Sequence, residues 1–349
     1  DLPTEVSHYM TEFASVEGKN YLFELLTRLG KETFHRGYYW YDLSSKKEVF
    51  SSLIKKSVPK EDETLSDFID DAKLLKITKK KWIETAMYAP QWASWISEFL
   101  KINKLEDAVW WFQAHASEYM NAEKETIVSR YSNVDRADFL KGVIDIDWFQ
   151  EVYTEVGKQN WKHLHDSAKY ISTGNGHRLV KLYSAVMLGE VKIRETLAKI
   201  KDKRDKDYVK AFGLVPLSKT NKKKDLLNRY NTLQDFLKES KQFGAQRQES
   251  EKNAVEIGLD NLARNAGYED SIRFSWAMEG EAIQSIMEKS VVEIDNITVQ
   301  LIVDEQGKAD FKVSKDGKPQ KSIPAKIKKD KRISALQKSK SYIKKQYST

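Results

Sequence analysis

At 349 residues, the chain is long enough for two domains or for one elongated helical array with a substantial core. Charged residues make up 32% and hydrophobic residues 40%, a balance that favours helices with one solvated face. The chain contains no cysteine, which excludes disulfides, thiolate catalysis and cysteine-ligated zinc or iron–sulfur sites. There is no run of eighteen apolar residues and no apolar leader, so we expect a cytoplasmic protein without a membrane partner. Because the first residue is Asp1 and not Met, we also expect a segment of a larger polypeptide.

Charge is arranged in blocks along the second half of the chain. Residues 191–250 carry a net charge of +8, residues 251–310 a net −8, and residues 311–349 a net +11. Basic blocks of this kind meet phosphate backbones, an acidic protein, or an acidic neighbour within the same chain. For 191–250, a merely solvated helix face is an equally good interpretation.

Residues 1–145 are predicted to form an aromatic-rich region of short amphipathic helices. Ser66 is the expected N-cap of one helix, and residues 81–100 place tryptophan and other apolar side chains at helical spacing. A tryptophan-rich stripe is far more often core than ligand cage, because each ring can bury ~200 Å². The densest aromatic segment, 35–41, is predicted to be a buried turn and not a base-stacking platform, since Arg36 is its only basic residue.

Residues 146–289 are predicted to form a second helical region with longer helices. Apolar residues at Leu226, Tyr230, Leu233 and Leu237 follow the 4-3-4 spacing of a buried helix stripe. The period changes to two in the third region, 290–349, where segments 291–294, 297–303 and 309–313 are separated by turn residues. A lysine-rich helix is expected from about residue 325. The fold class is therefore mainly α, an irregular α-solenoid-like array of helix pairs with a small three-stranded antiparallel β-meander near the C-terminus.

One loop has the chemistry of an anion site. Gly174, Gly176 and His177 stand at the start of a predicted helix, where backbone N–H groups can hold an anion and glycine lets a phosphate approach. The segment lacks a GK[ST] sequence and a preceding strand, so it is neither a P-loop nor a dinucleotide fingerprint. The alternative is a glycine C-cap that joins two helices.

Metal chemistry receives no support from the histidines. His163 and His165 are two residues apart, so on a helix they point about 200° away from each other and cannot chelate one ion. We predict no metal and no cofactor.

Polar side chains are unusually dense from residue 239 to residue 279, in helices that otherwise look core-forming. Arg247 and Glu251 are spaced i,i+4, as are Asn261 and Asn265. Such density indicates either a helix-packing network or a lined polar groove. The groove candidates are Lys241, Gln246, Arg247, Asn261, Arg264, Asn265, Arg273 and Glu279.

Several segments together resemble a known family. They are 161–170 (WKHLHDSAKY), the GNGH loop at 174–177, 204–217 (RDKDYVKAFGLVPL), 241–247 (KQFGAQR), 261–268 (NLARNAGY), 276–279 (WAME), 317–319 (GKP) and 321–325 (KSIPA). The chain resembles an uncharacterised domain family of large bacterial molybdate metabolism regulator-like (MolR-like) proteins over about 145–349, and only vaguely over 1–145. Some of these relatives are joined to a WGR domain, a module associated with DNA ends, but this chain contains no Trp-Gly-Arg.

Three functions follow as hypotheses. The first is a non-enzymatic helical scaffold that binds another protein or the rest of its own larger polypeptide. The second is a nucleic-acid-binding module that uses blocks 191–250 and 311–349, chiefly Lys222, Lys223, Lys224 and the lysines from 326 to 345. The third is an enzyme of unknown reaction with a polar groove at 241–279, which no catalytic signature supports.

Overall fold

The computed structural model describes residues 3–37, 45–117, 119–172 and 174–346. The backbone forms two compact units. The N-terminal unit consists of Asp1–Pro216 and Leu233–Asn265, and the C-terminal unit of Leu217–Thr232 and Ala266–Thr349. The predicted division into 1–145, 146–289 and 290–349 as domains stays a prediction.

Short helices build most of the N-terminal unit. They are α1 (Lys19–Leu29), α2 (Lys46–Lys56), α3 (Leu65–Lys73), α4 (Lys79–Tyr88), α5 (Ala93–Leu100), α6 (Leu105–Ala116), α7 (Ala122–Val128), α8 (Arg136–Lys141), α9 (Ile146–Val156), α10 (Lys158–Ser167), α11 (Gly176–Met187), α12 (Ile193–Lys203) and α13 (Lys206–Phe212). Two longer helices, α14 (Lys222–Ser240) and α15 (Ala245–Ala266), contribute residues to both units. A small parallel pair, β1 (Val16–Glu17) and β2 (Ser57–Val58), completes this part of the chain.

Several helix boundaries differ from the sequence prediction for local reasons. Thr64, and not Ser66, is the N-cap of α3, because its side chain accepts a hydrogen bond from the backbone N–H of Asp67. The segment 81–100 is divided between α4 and α5, since Pro90 lies at the start of a 3-10 turn between them. Arg204, for which no boundary is predicted above, takes a left-handed conformation with φ of 49° and separates α12 from α13.

Aromatic rings fill the core of the N-terminal unit, as the sequence predicts. Trp82, Trp92 and Trp111 are fully buried. Phe68 lies 5.8 Å from Trp92 and 5.9 Å from Trp82, measured between ring centroids. The rings are therefore packing partners of one another, and the predicted turn at 35–41 lies mostly outside the described residues.

The C-terminal unit combines helices with an antiparallel sheet. Its further elements are α16 (Ser271–Met287), β3 (Val291–Ile294), β4 (Ile297–Val303), β5 (Ala309–Lys315), β6 (Lys318–Gln320) and α17 (Lys331–Gln346). The strands pair in sequence order, with Val292 opposite Val299 and Val299 opposite Val313. The mainly helical class with a small antiparallel sheet is confirmed, although the sheet has four strands and not three.

Side-chain alternation decides which face of the sheet is buried. Ile297, Val299 and Leu301 of β4 are buried together with Ile333 and Leu336 of α17. The alternate residues of β4 and β5 form the other face, where Ile302 is 40% exposed. The basic helix begins at Lys331, later than predicted, because residues 325–329 form a turn. The apolar side chains of α17 therefore pack against the sheet.

Candidate functional site

The most fully bonded polar cluster joins Arg204, at the end of α12, to Glu251 of α15. Arg204 Nε lies 3.1 Å from Glu251 Oε1, and Arg204 Nη2 lies 2.7 Å from Glu251 Oε2. Arg247, one helical turn before Glu251, donates from its Nε to the same Oε1 at 2.9 Å. One buried carboxylate therefore accepts hydrogen bonds from two guanidinium groups.

The remaining donors of Arg204 also have partners. Its Nη2 donates to the Phe236 carbonyl at 2.8 Å and its Nη1 to Glu239 Oε2 at 2.8 Å, while its plane lies 3.9 Å from the Phe236 ring centroid. Burial disfavours ionisation of Glu251, but the hydrogen bonds from Arg204 and Arg247 outweigh it and hold the pKa of Glu251 below its usual value. The cluster therefore fixes the packing of α12, α14 and α15.

Asn261 and Asn265 hold α15 against the segments that cross it. The side chain of buried Asn261 accepts from the backbone N–H of Ile144 at 2.9 Å and donates to the Lys210 carbonyl at 3.1 Å. One turn later, Asn265 Nδ2 donates to the Gly213 carbonyl at 2.7 Å. These side chains satisfy backbone groups that would otherwise be buried without partners.

The other groove candidates lie apart from this network. Arg264 approaches Asp138 at 3.8 Å. In the C-terminal unit, Arg273 pairs with Glu269, and Glu279 accepts a hydrogen bond from Tyr230 at 2.9 Å. Lys241 and Gln246 are exposed. The structure thus brings Arg247, Asn261 and Asn265 into helix packing and leaves the other five at separate places, which favours the packing interpretation over a lined groove.

Comparison with known proteins places this architecture in a family. The sequence model of one family matches residues 1–278. This chain belongs to that family, DUF5724, a family of unknown function. None of the curated proteins and none of the solved structures matches the chain. The matched span contains the Arg204–Glu251 cluster and both asparagines, and it includes residues 1–145, where the resemblance described above is only vague.

Within this DUF5724 chain, the glycine-rich loop serves a close contact between helices. A Cβ atom on Gly176 would lie 2.3 Å from the carbonyl oxygen of Ala116, so only glycine lets α11 begin beside the end of α6. His177 is buried, and its backbone N–H donates to Ser172 Oγ at 3.1 Å. The space that Gly176 leaves open is therefore occupied by the Ala116 carbonyl of the protein itself, where the sequence prediction placed a phosphate.

Arg36 lies against the same loop. Its Nη2 donates to the Gly174 carbonyl at 3.2 Å and lies 3.3 Å from both ring nitrogens of His177. Burial, followed by the neighbouring Arg36 charge, lowers the pKa of His177. The imidazole is therefore neutral near pH 7 and adds no positive charge for an anion.

The lysine triplet at the start of α14 has partners close by in the C-terminal unit. Lys222 Nζ donates to the Ala266 carbonyl at 3.2 Å, and Lys223 Nζ lies 2.9 Å from Glu281 Oε1. Lys224 is exposed. These are surface contacts, which contribute little to stability and leave the lysines accessible.

The acidic stretch 251–310 pairs with both basic blocks. Within the C-terminal unit, Asp295 lies 3.3 Å from Lys326 and Asp310 lies 2.6 Å from Lys340. In the described part of 311–344, the exposed lysines without a carboxylate within 4 Å are Lys312, Lys315, Lys318, Lys321, Lys328, Lys329, Lys331 and Lys338. Acidic residues of the chain therefore neutralise only part of the positive charge of the C-terminal block.

Sequence reasoning missed His115, the most strongly perturbed histidine of the described chain. Its Nδ1 lies 2.7 Å from the Trp111 carbonyl, and its Nε2 accepts from the backbone N–H of Asp145 at 3.1 Å. Burial lowers the pKa of His115 to about 4, although the Trp111 carbonyl and the Asp145 charge oppose that change. Trp111 is on the same helix, but the backbone N–H of Asp145 is 30 residues away in sequence, so local spacing could not reveal this second partner.

Neither a membrane-spanning helix nor a cluster of metal ligands occurs among the described residues. No helix in that part of the chain is long and apolar enough to cross a lipid bilayer. Among the same residues, no three His, Asp or Glu side chains are placed to share a metal ion.

Proposed function

We propose that this chain is a non-enzymatic helical scaffold that binds a protein partner within or beyond its own larger polypeptide. The observation that supports the proposal is a pair of apolar side chains on α16. Ile272 and Trp276 are one helical turn apart and are 61% and 68% exposed. The polar side chains Arg204, Arg247, Asn261 and Asn265, by contrast, are engaged in helix packing.

An exposed tryptophan beside an exposed isoleucine is typical of a binding surface. Tryptophan is enriched among the residues that dominate binding energies, because its large ring loses a large apolar area to water. The face continues to Gly280, one turn after Trp276, where a Cβ atom would meet no neighbour within 4 Å. A partner segment can therefore approach the backbone of α16 beside the indole ring.

Photo-cross-linking at single positions tests this proposal. A benzophenone amino acid replaces Ile272, Trp276 or, as a control, Leu74, which is 81% exposed on the other unit. In cells that make the full-length protein, we expect one discrete covalent adduct at positions 272 and 276 and none at 74. The same adduct pattern at all three positions, or no adduct at 272 and 276, would contradict the proposal.

A second candidate function is sequence-independent binding of duplex nucleic acid by the C-terminal unit. The exposed lysines of 311–344 supply point charges, which match phosphates without reading bases. The free face of β4 and β5 presents Thr298, Gln300, Ile302 and Lys312 and no aromatic ring, which weighs against stacking of single-stranded bases.

Salt dependence distinguishes this candidate from the scaffold. If four lysines contact phosphates, the Kd for a 20-base-pair duplex rises about 10²-fold between 50 and 200 mM salt. The triple variant K328E/K329E/K331E should weaken binding and reduce that slope, whereas K222E/K223E/K224E should do so less. No binding at 50 mM salt, or equal effects of the two variants, would eliminate the assignment to 311–344.

We also propose that the chain derives from a large bacterial MolR-like protein and acts in the cytoplasm, in some relatives beside a WGR domain. The motifs at 161–170, 204–217 and 261–268 support this placement. If DUF5724 members are aligned with MolR-like proteins and the MolR-like proteins lack these three motifs, the placement is contradicted. The enzyme hypothesis gains no support, since the side chains that suggested a groove serve packing or lie apart.

A further inference from the structure

A polar cleft in the N-terminal unit is lined by none of the candidate residues named above, although Asn261 bonds to the backbone of Lys210 in its wall. It has a volume of about 520 Å³ and is bounded by α13, α15 and the end of α8. This volume is within the range of small-molecule sites, although Ile257 is the only apolar side chain that the described residues contribute to the wall. A ligand that fits here must therefore be small and polar.

Lys210 is the lysine of this cleft for which the described residues provide no side-chain partner. Its side chain is half-buried, and among the described residues no carboxylate lies within 4 Å of its ammonium group. Burial lowers the pKa of Lys210, more than the nearby Asp207 charge raises it. A partly desolvated ammonium group without a partner is costly, and a bound anion would supply its partner.

Two further lysines can assist, and carboxylates from both helices, Asp207 on α13 and Glu256 and Asp260 on α15, line the same cleft. Lys206 Nζ donates to Ser250 Oγ at 2.7 Å, and Lys141 Nζ lies 3.5 Å from Asp138. Asp207 and Glu256 also line the cleft and can accept hydrogen bonds only. The cleft thus offers cationic donors for an anionic group and carboxylate acceptors for hydroxyl groups in one volume.

A buried hydroxyl without a partner lies behind the same wall. Tyr183 Oη has no hydrogen-bond partner among the described residues. A Cβ atom on Gly142 would lie 3.0 Å from this oxygen and 3.8 Å from Cγ2 of Ile257. The hydroxyl and Ile257 therefore both border Gly142, and the hydroxyl is a second polar group near the cleft that has no partner among the described residues.

We propose that this cleft binds a phosphate monoester of a small polyol, such as a sugar phosphate. Lys210, with Lys141 and Lys206, contacts the phosphate, and Asp207 and Glu256 accept hydrogen bonds from the hydroxyl groups. A nucleotide fits less well, because none of the described residues that line the cleft is aromatic and could stack on a base. This site is independent of the α16 surface and of the C-terminal lysines.

Isothermal titration of the full chain with glucose 6-phosphate, inorganic phosphate and glucose tests the proposal. We expect glucose 6-phosphate to bind at least tenfold more tightly than phosphate and glucose not to bind. K210M should weaken glucose 6-phosphate at least tenfold, while K201M, which removes an exposed lysine on α12, should leave its affinity unchanged. D207N should reduce the preference for glucose 6-phosphate over phosphate.

The opposite results are equally clear. Absence of glucose 6-phosphate binding, or equal losses in K210M and K201M, overturns the site. Equal affinity for phosphate and glucose 6-phosphate overturns the polyol assignment. Thermal unfolding of each variant, with a Tm within a few degrees of the parent chain, shows that a loss of binding is not a loss of fold.

Discussion

His115 is a buried base that the folded chain keeps neutral. Both ring nitrogens have backbone partners, and the pKa of His115 is about 4 in the folded chain, compared with about 6.5 in an unfolded one. As pH falls from 6.5 towards 4, the unfolded chain therefore takes up a proton that the folded chain refuses. The free energy of unfolding should fall in this window by up to about 3 kcal/mol from this residue alone.

Urea unfolding of the parent chain and of His115→Gln at pH 7, 5.5 and 4.5 measures this effect. Glutamine lacks the titrating group, so the free energy of unfolding of His115→Gln should decline less steeply than that of the parent chain between pH 7 and pH 4.5. Carboxylates begin to titrate below about pH 5 and affect both proteins alike, so the comparison concerns the difference between the two curves. Parallel curves would show that His115 is not the group responsible.

The i,i+4 spacing in the sequence singled out pairs of polar residues that share one helix, whether or not they bond to each other. Arg247 with Glu251, and Asn261 with Asn265, were recognisable because i,i+4 spacing puts them on one face. Arg204 was not, although it makes more contacts with Glu251 than Arg247 does. Its role depends on a left-handed helix end, which brings a residue of α12 to α15 and leaves no local signature.

Two glycines set the distance at which α13 and α15 cross. A Cβ atom on Gly258 of α15 would lie 2.6 Å from the Val209 carbonyl oxygen, and one on Gly213 would lie 2.4 Å from the backbone nitrogen of Leu262. Both contacts are with backbone atoms, which cannot move aside as a side-chain end can. The backbones of the two segments therefore touch only because both positions are glycine.

Gly258→Ala should lower the free energy of unfolding by about 2 kcal/mol, because the new methyl group forces the two segments apart. Gly280→Ala in α16 is the matched control, since it makes the same change in a helix where nothing lies within 4 Å. For Gly280→Ala we expect the free energy of unfolding to rise by about 0.5–1 kcal/mol, because alanine has a better helix propensity than glycine. Urea denaturation measures both, and a shift of the same sign in the two variants would disprove the crossing contact.

Element type was more predictable from the sequence than element ends. The change from helical to alternating period correctly placed strands β3, β4 and β5, because β4 has one buried face. Strand β6 was missed, since it is three residues long, fully exposed and contains Pro319. The start of α17 was also misplaced, because composition alone does not separate a lysine-rich turn from a lysine-rich helix.

At the scale of the whole molecule, each unit has a core of its own composition. The N-terminal unit buries many aromatic rings among aliphatic side chains, whereas the buried residues of the cluster between the sheet and α17 are all aliphatic. The blocks of charge visible in the sequence do not coincide with these units, because the basic block 191–250 contributes residues to both. Dividing the sequence into blocks of charge therefore describes the surface of the protein and does not identify the two units that have separate cores.

Separate cores predict that a core defect in one unit stays there. Ile333→Ala removes a fully buried side chain between α17 and the sheet, which should cost about 2–4 kcal/mol. We expect hydrogen exchange to accelerate at the amides of β4 and β5 while those of α6 and α9 keep their protection. Ile302→Ala, on the exposed face of the same sheet, serves as the control and should change neither set. If exchange accelerates equally in both units of Ile333→Ala, the two cores unfold as one cooperative body.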